Sequence, residues 1–182
     1  MTDTEDTMVR ENNSGEILII VESHFGNTVA LGEAMAAALC ANGVHCVVRL
    51  AHEATSTLSE GVHTLVVGAP THNGMLSTPA TRKRAAGIGA KDSTDTQGVR
   101  EWLAKVELTT KPDIILFDTV ESSWGEAPSA ADEAFFLSGV QRYTSVTRGL
   151  SFSVGGVAGP LCSGELVRAR SWALGGFAVT RR

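Results

Sequence analysis

Residues Ser23-His24-Phe25-Gly26-Asn27-Thr28 bring two hydroxyls, an amide and a glycine into six positions, a set suited to holding an anion without a fixed positive charge. Ser23, Asn27 and Thr28 supply side-chain donors, and Gly26 lets the backbone approach a ligand with no Cβ in the way. The hexapeptide stands between the apolar run Ile17-Leu18-Ile19-Ile20-Val21 and an Ala-rich segment of helical periodicity. It therefore reads as the turn from a first strand into a first helix. The free N–H groups and the dipole at that helix start favour a negative guest, of which phosphate is the obvious one. There is no Gly-Lys-Ser/Thr ending to reach a γ-phosphate and Mg²⁺, and no Gly-x-Gly-x-x-Gly for a pyrophosphate. These absences point to a single terminal phosphate. Ser23 as an ordinary N-cap of a plain strand-to-helix turn is the alternative that the hexapeptide alone leaves open.

The elements able to position that turn follow along the chain. Leu31, Met35, Ala38 and Leu39 repeat at helical spacing, and Asn42-Gly43 stops the helix. Val44–Leu50 is rich in β-formers, and Ala54–Gly61 is a short connection. Leu65-Val66-Val67-Gly68 is the continuous apolar run of a buried parallel strand, ending in Ala69-Pro70-Thr71-His72-Asn73-Gly74. Ser77-Thr78-Pro79 marks a helix start, Gly89–Gln97 a polar loop, and Gly98–Val106 a helix with Val99, Trp102, Leu103 and Val106 on one face. Pro112–Asp118 reads as a strand ending at Asp118-Thr119, before a loop that carries Trp124. Ala130–Val140 reads as helix, and Ser145–Thr147 and Leu150–Val154 as strand segments. Gly155–Leu161 is loop, and Ser163–Gly175 a closing helix that Ser163 caps. Such alternation predicts an α/β fold: a doubly wound parallel sheet of five strands with helices on both faces and right-handed crossovers. In the common strand order 2-1-3-4-5, the loops Ser23–Thr28, Pro70–Met75 and Asp118–Glu126 line one edge, where open sheets bind ligands.

A chain of 182 residues makes one domain with a core that needs no metal or disulfide support. Of its 20 acidic residues, Asp3, Glu5, Asp6, Glu11 and Glu16 crowd the first sixteen positions with Arg10 as the lone base, so the net charge of −5 sits mostly there. Residues 1–16 read as a disordered acidic tail and 17–182 as the domain. Nothing in the charge suits a nucleic-acid partner. No apolar run approaches a membrane span, and no signal peptide opens the chain. Cys40, Cys46 and Cys162 form no Cys-x-x-Cys pair and are odd in number, which fits buried thiols in a reducing, cytoplasmic compartment. No nucleophile has a partnered base, and no carboxylate pair or metal-ligand spacing stands out. A hydrolase is thus disfavoured.

The run Ile19-Ile20-Val21-Glu22-Ser23-His24-Phe25-Gly26-Asn27-Thr28 resembles the FMN-phosphate signature of the flavodoxin family, with Ser23, Gly26 and Thr28 at its characteristic positions. Gly68-Ala69-Pro70-Thr71-His72-Asn73-Gly74 is similar to the family's second flavin loop. Gly98–Leu103, and Ala158–Leu161 with Gly164–Leu166, look like segments of actinobacterial flavodoxin-like proteins. The resemblance covers nearly everything from Ile17 onward. It implies FMN as cofactor, held by Ser23, His24, Phe25, Gly26, Asn27 and Thr28 at the phosphate. Pro70, Thr71, His72, Asn73, Gly74, Asp118, Thr119 and Trp124 would hold the ribityl chain and ring. It also implies electron transfer between redox partner proteins, a reductase and an acceptor, with a carbonyl near Gly74 turning toward flavin N5 on reduction. The alternatives are an FMN-dependent NAD(P)H:quinone or small-molecule reductase, and a flavin-free binding or regulatory domain.

Departures from the family concern the ring. Val21 stands where the signature prefers Phe or Tyr, and Gly32 where it prefers Ala. The family's Trp and Tyr sandwich has no counterpart, since the single tyrosine, Tyr143, follows a helix. His72 and Trp124 are left as ring partners, which implies either weaker FMN binding or a more exposed ring. Trp124 is read either as a stacking lid or as a surface residue, and His24 either as part of the phosphate loop or as an exposed loop histidine. Arg82-Lys83-Arg84 reads as a solvated helix face, with docking of an acidic partner or a nucleotide phosphate as the alternative.

Overall fold

The computed structural model describes residues 16–91, 97–141, 143 and 145–177. The acidic tail expected over residues 1–16, Glu16 apart, and the centre of the polar loop at 92–96 lie outside the described residues. Five strands alternate with helices: β1 (Glu16–Val21), β2 (Cys46–Leu50), β3 (Val62–Pro70), β4 (Asp113–Glu121) and β5 (Val146–Val154). The helices are α1 (Asn27–Ala41), α2 (Pro79–Gly87), α3 (Val99–Lys105), α4 (Ala130–Val140) and α5 (Glu165–Gly176). The strands form one sheet in the order β2-β1-β3-β4-β5, and every pairing is parallel. This is the expected doubly wound topology.

Side chains along a strand alternate between faces, so each central strand feeds two cores. Ile17, Ile19 and Val21 of β1, Val66 of β3, Phe117 of β4 and Phe152 of β5 pack with Leu31, Met35 and Leu39 of α1 and Ala169 and Ala173 of α5. Ile20, Leu65, Val67, Ile114 and Leu116 face the other way, toward Val99, Trp102 and Leu103 of α3 and Ala130, Ala131 and Ala134 of α4. Tyr143 belongs to this second core and donates its hydroxyl to the carbonyls of Leu103 and Val106, far from any ring-stacking role.

Several boundaries differ from the sequence reading, each for a local reason. β2 starts at Cys46 because Gly43, at φ 75°, still belongs to the turn, and Val44 N–H bonds back to Leu39. β4 runs on past Asp118 because β5 pairs with it there, Asp118 opposite Ser151 and Thr119 opposite Phe152. Asp118 and Thr119 therefore lie inside a strand. Helix α5 starts after Gly164 at φ 87° with no side-chain cap, so Ser163 does not cap it. Helix α2 does begin where Ser77-Thr78-Pro79 indicates: Thr78 and Thr81 form a reciprocal capping box.

Candidate cofactor-binding site

The turns after β1 and β3, the end of β4 with its loop, the segment after β5 and one side of α2 enclose a cavity of about 370 Å³ at the carboxyl edge of the sheet. That size is ordinary for a small-molecule or cofactor site. Of the expected residues, Ser23, His24, Phe25, Asn27 and Thr28 line it from the first turn, and Pro70, Thr71, His72 and Asn73 from the second. Thr119 and Trp124 line it from the third. Three do not. Gly26 is the N-cap of α1 and has no side chain to reach the cavity. Gly74 lies behind the wall, where an added Cβ would come within 3.2 Å of the Pro128 carbonyl and 3.6 Å of the Trp124 ring. Asp118 points to the opposite face of the sheet, fully buried, and accepts the Ala131 N–H at 2.8 Å at the start of α4. Its neighbour Thr119 faces the cavity because strand residues alternate.

The first turn is open to an anion. Gly26, at φ 85°, leads into the fifteen-residue α1, whose N-terminus has no side-chain cap and no acidic residue in its first turn. Its leading N–H groups therefore have no side-chain acceptor among the described residues. Ser23 Oγ is buried and has no partner. Thr28 Oγ1 lies 3.3 Å from Thr119 Oγ1, and Asn27 Nδ2 donates to the Ala158 carbonyl at 3.2 Å, which draws the segment after β5 over the turn. Only glycine fits at 159, since a Cβ there would collide with the Asn27 amide.

The second turn is a tight hairpin. His72 N–H donates to the Met75 carbonyl at 2.8 Å and Met75 N–H returns the bond at 3.2 Å, with Asn73 at φ 53° and Gly74 at φ 82° between them. Two successive positive φ values define the mirror-image turn that Asn-Gly favours. Trp124 donates its indole N–H to the Pro128 carbonyl at 3.0 Å and packs over Gly74, so it is a fixed part of the wall. Behind the turn, Arg100 forms a two-pronged pair with Glu133 at 2.6 and 2.7 Å. Arg100 also donates to the Leu76 and Ser77 carbonyls, while Glu133 accepts the Leu76 N–H. Helices α3 and α4 thus clamp the segment that carries the turn.

Beneath the first two turns lies a buried ionic cluster that no motif announced. Glu22, the residue after β1, is 5% exposed, His24 4% and Arg82 3%. One Glu22 oxygen accepts from His24 Nε2 at 2.8 Å and from Ser77 Oγ, and the other accepts the Val99 N–H at 2.8 Å. Arg82 donates to Ser77 Oγ at 2.9 Å and to both oxygens of Glu101 at 3.1 and 3.2 Å. Burial alone would raise the Glu22 carboxyl, but the hydrogen bonds from His24, Ser77 and Val99 outweigh it and hold the group below its ordinary value of 4.5. Arg82 is therefore an interior residue and not part of a solvated face, and His24 is turned inward.

His24 and His72 lie with ring centroids 5.1 Å apart. Burial, reinforced by repulsion from His24 and Arg82 and partly offset by Glu22, lowers His72 from 6.5 to about 4. The unfolded chain therefore binds a proton at this site before the folded one does, so folding stability falls as pH drops from about 6.5 toward 4. His72→Gln should flatten that part of a urea-denaturation profile against pH. An unaltered slope would show that His72 is not held neutral.

The wall also includes Thr81, Arg84 and Ala85 from α2, Ile88 just after it, Glu121 from β4, and Val154, Gly156 and Val157 at the end of β5 and beyond. Sequence reasoning missed these. A signal lay in Arg82-Lys83-Arg84, because successive helix positions are about 100° apart and cannot share one face. Arg82 goes inward and Arg84 borders the cavity. Among the described residues, no group of His, Cys, Asp or Glu is placed to hold a metal ion, and no helix is long and apolar enough to cross a membrane.

No protein-family model and no curated protein sequence matches the chain. Solved structures do. Oxidised flavodoxin 1 from Bacillus cereus superposes with a TM-score of 0.61 at 12% identity, over 92% of this chain and 99% of that one. A flavone reductase gives 0.53 at 10% identity, over 87% of this chain and 60% of that one. The rubredoxin oxygen:oxidoreductase of Desulfovibrio gigas gives 0.51 at 13% identity, over 87% of this chain but 34% of the larger protein. The chain has the flavodoxin-like fold.

Proposed function

We propose that this chain binds FMN in the cavity, phosphate against the first turn, and passes electrons between redox partners. The observation that carries the reading is the uncapped start of α1 at the edge of a cavity of nucleotide size, with Ser23 and Thr28 among the residues that line it. Bound FMN would supply reversible one- or two-electron chemistry. Ser23 and Thr28 would donate to phosphate oxygens together with the N–H groups of α1, and the dipole would offset the charge that no Lys or Arg on this turn meets. His72 and Trp124 would flank the ring, with Ile88 and Val157, 57% and 66% exposed, at its rim. The solved neighbours named as flavodoxins and as a flavone reductase support a flavin ligand. The partners would be a reductase and an acceptor protein. The chain would work in a reducing cytoplasm, although of the thiols expected to be buried Cys46 is and Cys40 is exposed.

Purified chain should quench the fluorescence of added FMN with a saturable, one-to-one end point. Ser23→Ala should weaken that binding by about 10- to 100-fold, the worth of one hydrogen bond to a charged group. Equal affinity in the two chains would show that the phosphate does not sit at this turn.

A further inference from the structure

We propose that the outward face of α4 is a self-association surface, on which a second copy of this chain packs antiparallel to the first. Positions 132, 135, 136 and 139 fall within about 100° of one another around a helix axis, so they form one stripe. The far side of α4 is its core side, with Ala130, Ala131, Ala134 and Ser138 buried. The stripe therefore faces solvent, and on it Phe135 and Phe136 are 47% and 69% exposed. No charged residue occurs from Ala134 to Gln141. The same chain buries Phe117, Phe152 and Phe177, so two adjacent rings left outside depart from its own pattern. An apolar patch with a polar border marks a contact site.

Shape and charge select a copy of the same chain as the occupant. Gly139 lies on the stripe one turn after the rings, and a Cβ built on it meets nothing within 4 Å, so the face carries a hollow beside two knobs. When two such helices cross antiparallel about a two-fold axis, the placement that sets the rings of one copy over Gly139 of the other repeats itself in reverse. That self-complementarity is what a two-fold interface requires. The net charge of −5 opposes the meeting of two copies, but on α4 it is cancelled locally. Asp132 is paired with Arg148 at 3.1 Å, and Glu133 with Arg100 at 2.6 and 2.7 Å. The helix has no basic residue, so its outward face offers no free charge to an acidic or a basic partner.

No residue of α4 lines the cavity, so a second copy placed here leaves the mouth free. Four rings exposed to these extents supply on the order of 500 Å² of apolar surface. With the flanking helix surface this makes an interface at the small end of the specific range. The dimer is accordingly reversible, with a dissociation constant of about 1–100 μM.

The test is sedimentation velocity of the full chain, with no ligand added, over a concentration range of about 1 to 300 μM. Wild type should pass from one chain to two across that range, and a wild type that stays monomeric at the top of it overturns the proposal. Phe136→Glu should raise the dissociation constant by about 100-fold or more. An undiminished dimer in that variant would put the interface elsewhere and overturn the proposal. Phe136→Gln serves the same comparison if the glutamate variant does not fold. Gly139→Leu separates the knob-and-hollow pairing from general apolar adhesion. The new side chain fills the hollow and favours the helix, so association should weaken about 10-fold or more while the fold is kept. Plain adhesion would gain from the added apolar surface, and an equal or tighter dimer overturns the proposal. Leu174→Glu, at an exposed position on α5, should leave the dissociation constant within about twofold. A loss there as large as that of Phe136→Glu overturns the assignment to α4. None of these results depends on whether the chain binds FMN.

Discussion

Arg82→Met is expected to cost about 3–5 kcal/mol of folding stability, the range seen when one member of a buried ionic group is removed. The methionine would roughly fill the space of the arginine stem, so the loss is electrostatic. Ser77 Oγ, which itself donates to Glu22, loses a donor, and Glu101 loses both guanidinium bonds. Arg84→Met, on an exposed position two residues away, should change stability by less than about 0.5 kcal/mol. Urea denaturation of the two variants makes the comparison, and equal midpoints would contradict the assignment of Arg82 to the interior. Acid should erode the same cluster. Glu22 titrates in the folded chain below its ordinary value of 4.5, so its contribution is complete above that pH and is lost as pH falls through the lower folded value.

Gly68→Ala is the second large effect, at about 3 kcal/mol. Gly68 pairs with Phe117 across β3 and β4, and a Cβ on Gly68 would enter the Phe117 ring. That ring cannot give way, because Phe152 and Trp172 hold it edge-to-face at 5.9 and 6.2 Å. The two strands would have to part. Since β3 ends at Pro70 and leads into Thr71, and β4 carries Thr119, the same change should weaken ligand binding at the edge they share. Phe117→Leu in the Gly68→Ala background should recover part of the loss, giving a double-mutant coupling of about 1 kcal/mol or more. Additive losses would show that the two residues do not meet.

The parts of the fold that could be read from the chain are those whose physics is local. The apolar runs of β1, β3 and β4 and the strong turn chemistry of Asn42-Gly43 and Asn73-Gly74 mark strands and stops with no need of partners. Alternation of strands and helices then restricts the topology. The first turn was legible as a turn for the same reason, since small and polar residues between a strand and a helix are turn and cap formers. Long-range pairing was not. Asp118 was placed at the end of its strand, beside the ring, because nothing in its own segment says that β5 extends alongside it, and from inside the strand it serves α4 in place of the cavity. Glu22, Ser77, Arg82 and Glu101 are unremarkable types at unrelated spacings, and they become a cluster only when β1, α2 and α3 meet. A run such as Arg82-Lys83-Arg84 misleads when it is read as one charge patch, because a helix sends its members in different directions.

The central claim is that the first turn holds a terminal phosphate at the head of a flavin cavity. The most direct measurement is calorimetric titration of the wild-type chain with FMN and, separately, with riboflavin, the same ligand without the phosphate. If Ser23, Thr28 and the N–H groups of α1 hold the phosphate, each would supply a charge-assisted hydrogen bond of about 1.5–3 kcal/mol, so FMN should bind at least about 100-fold more tightly than riboflavin. Equal affinities, or binding of neither, would contradict the account.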